Sequence, residues 1–132
     1  LIDLKNIYIG TNECDKDKIK SELSSIDEEQ IFTEPYNRET ATCIGLSAIK
    51  LLKKDVDAVM VVLPSDHYIE DEKSYINTLK KSVELANRRR CLVTLGIEAT
   101  RPETGYGYIQ MGDKLSGDIP SYKVARFTEK PN

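Results

Sequence analysis

The sequence predicts an α/β sandwich with a largely parallel central sheet. Three observations carry that expectation. Short apolar runs alternate with helical patterns along the chain. Two of the runs, "DAVMVVL" and "CLVTLGI", are continuous and rich in valine and leucine, which suits strands buried on both faces. Two other segments repeat apolar residues every three or four positions, as one buried helix face requires.

Taken in order, "KNIYIGTN" reads as a short strand at Ile7–Ile9, bounded by Gly10 and Asn12. A polar helix is expected from about Lys16 to Leu23. "QIFTEP" is a second short strand, stopped by Pro35. A strong helical stripe follows through Ala41, Ile44, Ala48, Leu51 and Leu52, with Asn37 placed to cap its start. "DAVMVVL" is the next strand. A helix from Asp71 to Asn87 would bury Tyr75, Ile76, Leu79, Val83 and Ala86. "CLVTLGI" is a further strand, and "TRPETGYG" a loop rich in turn residues. "YIQMG" and "YKVARFTEK" are two last strands, joined through a polar segment and expected as antiparallel additions.

Composition narrows the function. The 132 residues are 39% hydrophobic and 31% charged, with a net charge of −3, the balance of a soluble globular domain. There is no basic field to gather nucleic acid or an anionic membrane. No apolar run approaches the roughly 18 residues of a membrane span. Three scattered cysteines, Cys14, Cys43 and Cys91, form neither a disulfide framework nor a zinc set. A cytoplasmic protein is expected. A chain opening at Leu1 and stopping just after "FTEKP" is expected to be an internal piece of a longer one, truncated at both ends of its sheet. An unpaired sheet edge would then favour a homodimer.

In open α/β sheets ligands bind beyond the carboxyl ends of the strands. Four loops qualify. In "PSDH", Asp66 offers a hard oxygen for Mg²⁺, or Asp66 and Ser65 serve only the turn itself. The lone His67 reads as structural. In "EPYNRETA", Glu34 and Arg38 are either a surface ion pair or part of a nucleotide site. A carboxylate at 34 could accept from guanine N1–H and N2–H₂, whereas adenine presents an acceptor at N1. In "RPETGYGYI", Gly105 and Gly107 either make a turn or let backbone approach a ligand. In "FTEKP", Glu129 could accept from sugar hydroxyls and Lys130 could pair with a phosphate, though such a pair is also ordinary surface.

In sequence order, "EPYNRETATCIGLSA", "VLPSDHYI", "LVTLGIEATRPETGYGYI" and "FTEKP" resemble the mannose-1-phosphate guanylyltransferases, from about Ile7 to Asn132. The resemblance implies the nucleotide-diphospho-sugar transferase fold, a Rossmann-like sandwich. It implies GTP and mannose 1-phosphate as substrates, Mg²⁺ as cofactor, and GDP-mannose and pyrophosphate as products. Glu34 would meet the nucleobase, with Arg38 and Thr40 in the same loop. Ser65 would contact substrate beside Asp66, the metal ligand. Tyr106 and Gly107 would contact the sugar, Glu129 its hydroxyls, and the catalytic Lys130 its phosphate. No covalent nucleophile is implied, so the three cysteines read as packing residues.

The chain departs from the family at "RETAT", where the usual string is R-N-T-A-P, and at Ala99, where a proline is usual. It also carries no Gly-rich signature loop with Arg and Lys, and no second metal carboxylate. The segment alone is therefore expected to be inactive. Two alternatives stand beside this reading: another sugar-1-phosphate nucleotidyltransferase, and a non-catalytic nucleotide-sugar-binding regulatory module.

Overall fold

A computed structural model describes residues 2–34, 39–117 and 120–130. The chain divides into two compact units, Leu1–Ser65 and Asp66–Asn132.

In the first unit, strand β1 (Ile9–Asn12) pairs in parallel with β2 (Ile31–Glu34), placing Gly10 beside Phe32 and Asn12 beside Glu34. Parallel strands need a crossover. Here it contains a 3₁₀ turn at Glu13–Asp15, helix α1 (Lys16–Glu22) and a second 3₁₀ turn at Glu28–Gln30. That last turn is closed by a capping box: the Asp27 side chain accepts from the Gln30 backbone, and Gln30 Oε1 accepts from Asp27 N–H at 3.1 Å. The same Gln30 donates through Nε2 to the carbonyls of Leu4 at 2.7 Å and Ile7 at 2.6 Å. One buried amide thus ties the segment before β1 to the start of β2.

Among the described residues the buried apolar core is Ile26, Ile31 and Phe32. Tyr8 stacks on Phe32 with ring centroids 5.1 Å apart. Lys50 of helix α2 (Glu39–Leu52) lies over the Phe32 ring at 4.6 Å, and Lys54, in the turn that follows the helix, lies over the Tyr8 ring at 4.9 Å. Helix α2 turns Cys43, Ile44, Ser47, Ala48 and Leu51 inward as a half-buried stripe and packs against β1. Its expected cap, Asn37, lies outside the described residues.

In the second unit, helix α3 (Glu72–Arg89) opens on Asp71, whose side chain accepts from Ser74 N–H at 3.0 Å. Arg90 then ends it in the left-handed conformation. Its expected stripe is half-buried rather than buried. Strands β3 (Tyr108–Lys114) and β4 (Tyr122–Thr128) form an antiparallel pair, as expected of the last two strands. Register irregularities lie on either side of Met111.

The α/β class holds, with a smaller parallel sheet than expected. Among the described residues helices and strands are mixed, and the parallel sheet holds two strands rather than a mostly parallel central set. The expected strands at 57–63 and 91–97 join no sheet, and much of their apolar surface is open, with Val61 46% and Ile97 87% exposed. A strand exists only through its ladder, and no described segment pairs with these runs. The first strand also runs later than expected, through Gly10 to Asn12, because Gly10 serves close packing there rather than a turn.

Candidate functional site

The first cluster stands at the carboxyl end of β2. Alternation along the strand puts Glu34 on the side of Phe32, so its carboxylate is drawn inward. Glu34 is only 7% exposed, and its Oε1 has no hydrogen-bond partner among the described residues. A buried carboxylate oxygen left in this state is costly, and demands either a bound partner or another reason.

Helix α2 supplies the flanking groups. A Cβ built on Gly10 would meet Cys43 Sγ at 2.6 Å, so the sulfur rests directly on β1 where other residues carry a side chain. Ser47 Oγ lies 4.0 Å from the same point. The Cys43 thiol is pushed above its ordinary range, first by burial, then by hydrogen bonding to Glu34 and by that residue's charge; a hydrogen bond from Ser47 opposes the shift. Cys14 and Cys91 are exposed, so packing does not describe them. Thr40 sits exposed in the first turn of α2. Arg38 lies outside the described residues.

The second cluster stands at one end of the β3–β4 hairpin. Tyr108 pairs with Thr128, so Tyr106 and Gly107, which lead into β3, stand beside Glu129 and Lys130, which leave β4. The approach is close: a Cβ on Gly107 would lie 3.2 Å from the Thr128 carbonyl oxygen. Glu129 Oε1 accepts from Lys130 N–H at 3.1 Å. The two segments that flank the hairpin are therefore one surface.

Glu103 organises the loop before β3. Its backbone N–H donates to the Tyr108 hydroxyl at 2.8 Å, and that hydroxyl donates back to the Glu103 carbonyl at 2.8 Å. Its carboxylate accepts from Gly105 N–H at 3.1 Å and pairs with Arg101 at 3.4 Å. Sequence reading passed over Glu103; the only signal was a carboxylate two residues before a turn glycine.

Ser65 and Asp66 form an exposed turn at the boundary of the two units. Glu34, Thr40 and Ser65 belong to the first unit; Asp66, Tyr106, Gly107, Glu129 and Lys130 belong to the second. Among the described residues no three His, Cys, Asp or Glu side chains gather as a metal site. Asp66 supplies one solvent-facing carboxylate, which fits a Mg²⁺ ion held mainly by substrate phosphates and water rather than by a protein cage. No described helix is long and apolar enough to cross a membrane.

A family model for nucleotidyl transferases matches residues 2–132. The chain belongs to the nucleotidyl transferase family. Curated relatives of this nucleotidyl transferase chain agree. It is 43% identical over 106 residues to a mannose-1-phosphate guanylyltransferase of Salmonella montevideo, covering 77% of this chain and 22% of the relative. It is 41% identical over 108 residues to a mannose-1-phosphate guanylyltransferase of Escherichia coli K12, covering 79% and 22%. It is 36% identical over 124 residues to the alginate biosynthesis protein AlgA of Pseudomonas putida, covering 90% and 25%. The nucleotidyl transferase chain thus spans about a quarter of the length of these relatives.

Proposed function

We propose that the protein carrying this chain transfers GMP from GTP to mannose 1-phosphate, giving GDP-mannose and pyrophosphate. The observation that carries this reading is the buried Glu34 carboxylate, its Oε1 unpaired among the described residues, at the carboxyl end of a parallel strand. An acceptor in that place suits the N1–H and N2–H₂ edge of guanine and leaves adenine without its matching donor. The names of the relatives point to the same reaction.

In this reading a phosphate oxygen of mannose 1-phosphate attacks the α-phosphorus of GTP. The bond from that phosphorus to the bridging oxygen breaks, and pyrophosphate departs with its electron pair. Glu34 fixes the base, with Arg38 and Thr40 beside it. Ser65 contacts the substrate. Asp66 would hold Mg²⁺, which supplies charge neutralisation on the phosphates when bound. Tyr106 and the Gly107 backbone seat the sugar. Glu129 accepts from its hydroxyls, and Lys130 meets its phosphate as a point charge. The protein's share of the chemistry is positioning and electrostatics. The apolar runs at 57–63 and 91–97 would enter a mostly parallel, Rossmann-like sheet when partner strands are supplied. A cytoplasmic setting and a homodimer belong to the same proposal.

The test is GDP-mannose formation by the full-length protein and its Glu34→Gln variant. The wild type should form product from GTP and mannose 1-phosphate with Mg²⁺. Glu34→Gln should raise the KM for GTP about tenfold or more, the loss of one charged hydrogen bond, and leave the KM for mannose 1-phosphate unchanged. Unaltered GTP kinetics would remove the base assignment.

A further inference from the structure

We propose that Glu103 and Tyr108 are positioning residues: together they lock the loop from 103 to 108 in one shape, so that Tyr106 and the Gly107 backbone meet the sugar of mannose 1-phosphate already in place. This inference rests on the assignment of Tyr106 and Gly107 to the sugar. Three structural facts support it. The Tyr108 hydroxyl accepts from Glu103 N–H and donates to the Glu103 carbonyl, each at 2.8 Å, so one side chain closes the loop on both backbone groups of its first residue. Inside that ring, Glu103 Oε1 accepts from Gly105 N–H at 3.1 Å. Tyr108 itself is held in the ladder opposite Thr128, and Gly107 lies close against the Thr128 carbonyl oxygen.

The physical need is order. Gly105 and Gly107 flank Tyr106, and glycine leaves a chain more freedom to lose when it is ordered than any other residue. Ties at 103, 105 and 108 remove that freedom before the sugar arrives, which lowers the cost of binding it. Both side chains are committed to the loop itself. The Tyr108 hydroxyl uses its proton and a lone pair on Glu103, and the two residues are half-buried. The Glu103 carboxylate gives Oε1 to Gly105 and Oε2 to Arg101, the latter at 3.4 Å. Tyr106, in contrast, is 70% exposed. The loop thus separates the residues that shape it from the residue that can meet a ligand.

Two measurements on the full-length protein test the inference. The first is steady-state kinetics with each substrate varied in turn. Tyr108→Phe, which keeps the ring and loses both hydroxyl bonds, should raise the KM for mannose 1-phosphate several-fold, hold the KM for GTP, and leave kcat within about twofold. Glu103→Ala should do the same. Glu103→Gln, which keeps an acceptor for Gly105 N–H, should recover most of that loss. The second needs no turnover: hydrogen exchange of the 103–105 amides, read by mass spectrometry. Tyr108→Phe should speed exchange at Glu103, and Glu103→Ala at Gly105, each several-fold. Unchanged exchange in either variant overturns the ties whatever the kinetics show. A KM rise of equal size for both substrates, or no recovery in Glu103→Gln, overturns positioning in favour of a merely structural role. A wild-type mannose 1-phosphate KM in Tyr108→Phe and Glu103→Ala, with that KM raised in Gly107→Ala, overturns positioning and leaves the sugar assignment standing. A wild-type mannose 1-phosphate KM in Gly107→Ala removes the sugar assignment and this inference together.

Discussion

Glu34, Gln30 and Glu28 lie within seven residues of one another and play three different parts. Glu34 drew notice in the sequence because a carboxylate ending a short apolar strand before proline is an unusual placement; its burial belongs to the fold and is not written there. The seat of Cys43 was not legible, because the space for its sulfur is left by Gly10, thirty-three positions earlier and on another element. Gln30 was legible in principle, as the fourth residue of an Asp-x-x-Gln capping box, but its bonds to Leu4 and Ile7 are tertiary. Glu28 is an exposed acid held by Lys16 and Lys20, each at 2.8 Å. Those two ammonium groups lower its pKa from 4.5 to about 2, chiefly by hydrogen bonding, and Glu28 in turn raises that of Lys16. The native state therefore favours the charged carboxylate. Its contribution to stability is complete above about pH 4.5 and is lost as pH falls toward 2. The Lys16 contribution runs the other way, present below 10.5 and lost as pH rises past it. All three side chains are solvated, so the effect is small and weakens with salt. An NMR titration of the Glu28 carboxyl carbon at low salt should give a midpoint near 2; a midpoint near 4.5 would reject the triad.

At the scale of elements, helices were read more accurately than strands. Helix α1 and helix α3 fall within one or two residues of expectation, because a helix satisfies its own backbone and advertises its period locally. Strand β1 runs past the stop that a glycine suggests, because Gly10 stands within the strand and admits a sulfur. The hairpin was legible as two strands, but its register was not, and the register is what joins Gly107 to Glu129. That junction gives a prediction for Gly107→Ala in the full-length protein. The new methyl would press on the Thr128 carbonyl oxygen at 3.2 Å, and backbone cannot swing aside as a side chain does. The strand ends must part by a few tenths of an ångström, carrying Glu129 and Lys130 with them. If these residues seat the sugar phosphate, the KM for mannose 1-phosphate should rise several-fold while the KM for GTP holds. Steady-state kinetics with each substrate varied in turn would show it, and an unchanged mannose 1-phosphate KM would detach this hairpin end from the sugar.

For the whole molecule, the sequence and the structure differ over the apolar runs at 57–63 and 91–97. Period and composition mark both as buried strands, yet Val61, Val62 and Leu63 are about half exposed, and Leu92 and Ile97 are largely in solvent. Burying one such side chain fully is worth about 1.5–3 kcal/mol, so leaving several open forgoes a large share of an ordinary domain's net stability. Apolar surface of this kind marks an interface that another segment or another chain covers. The curated relatives are about four times as long, which is ample chain to supply that cover. The 132 residues expressed alone should therefore bind 8-anilinonaphthalene-1-sulfonate with strong fluorescence and show a light-scattering mass that climbs with concentration. They should form no GDP-mannose, since the resemblance places the Arg- and Lys-bearing triphosphate loop outside them. The full-length protein should be dark to the dye and active. A dye-silent, monomeric 132-residue chain would mean that these runs bury each other within this sequence. Metal-dependent product from the same chain would mean that its own residues complete the phosphate site.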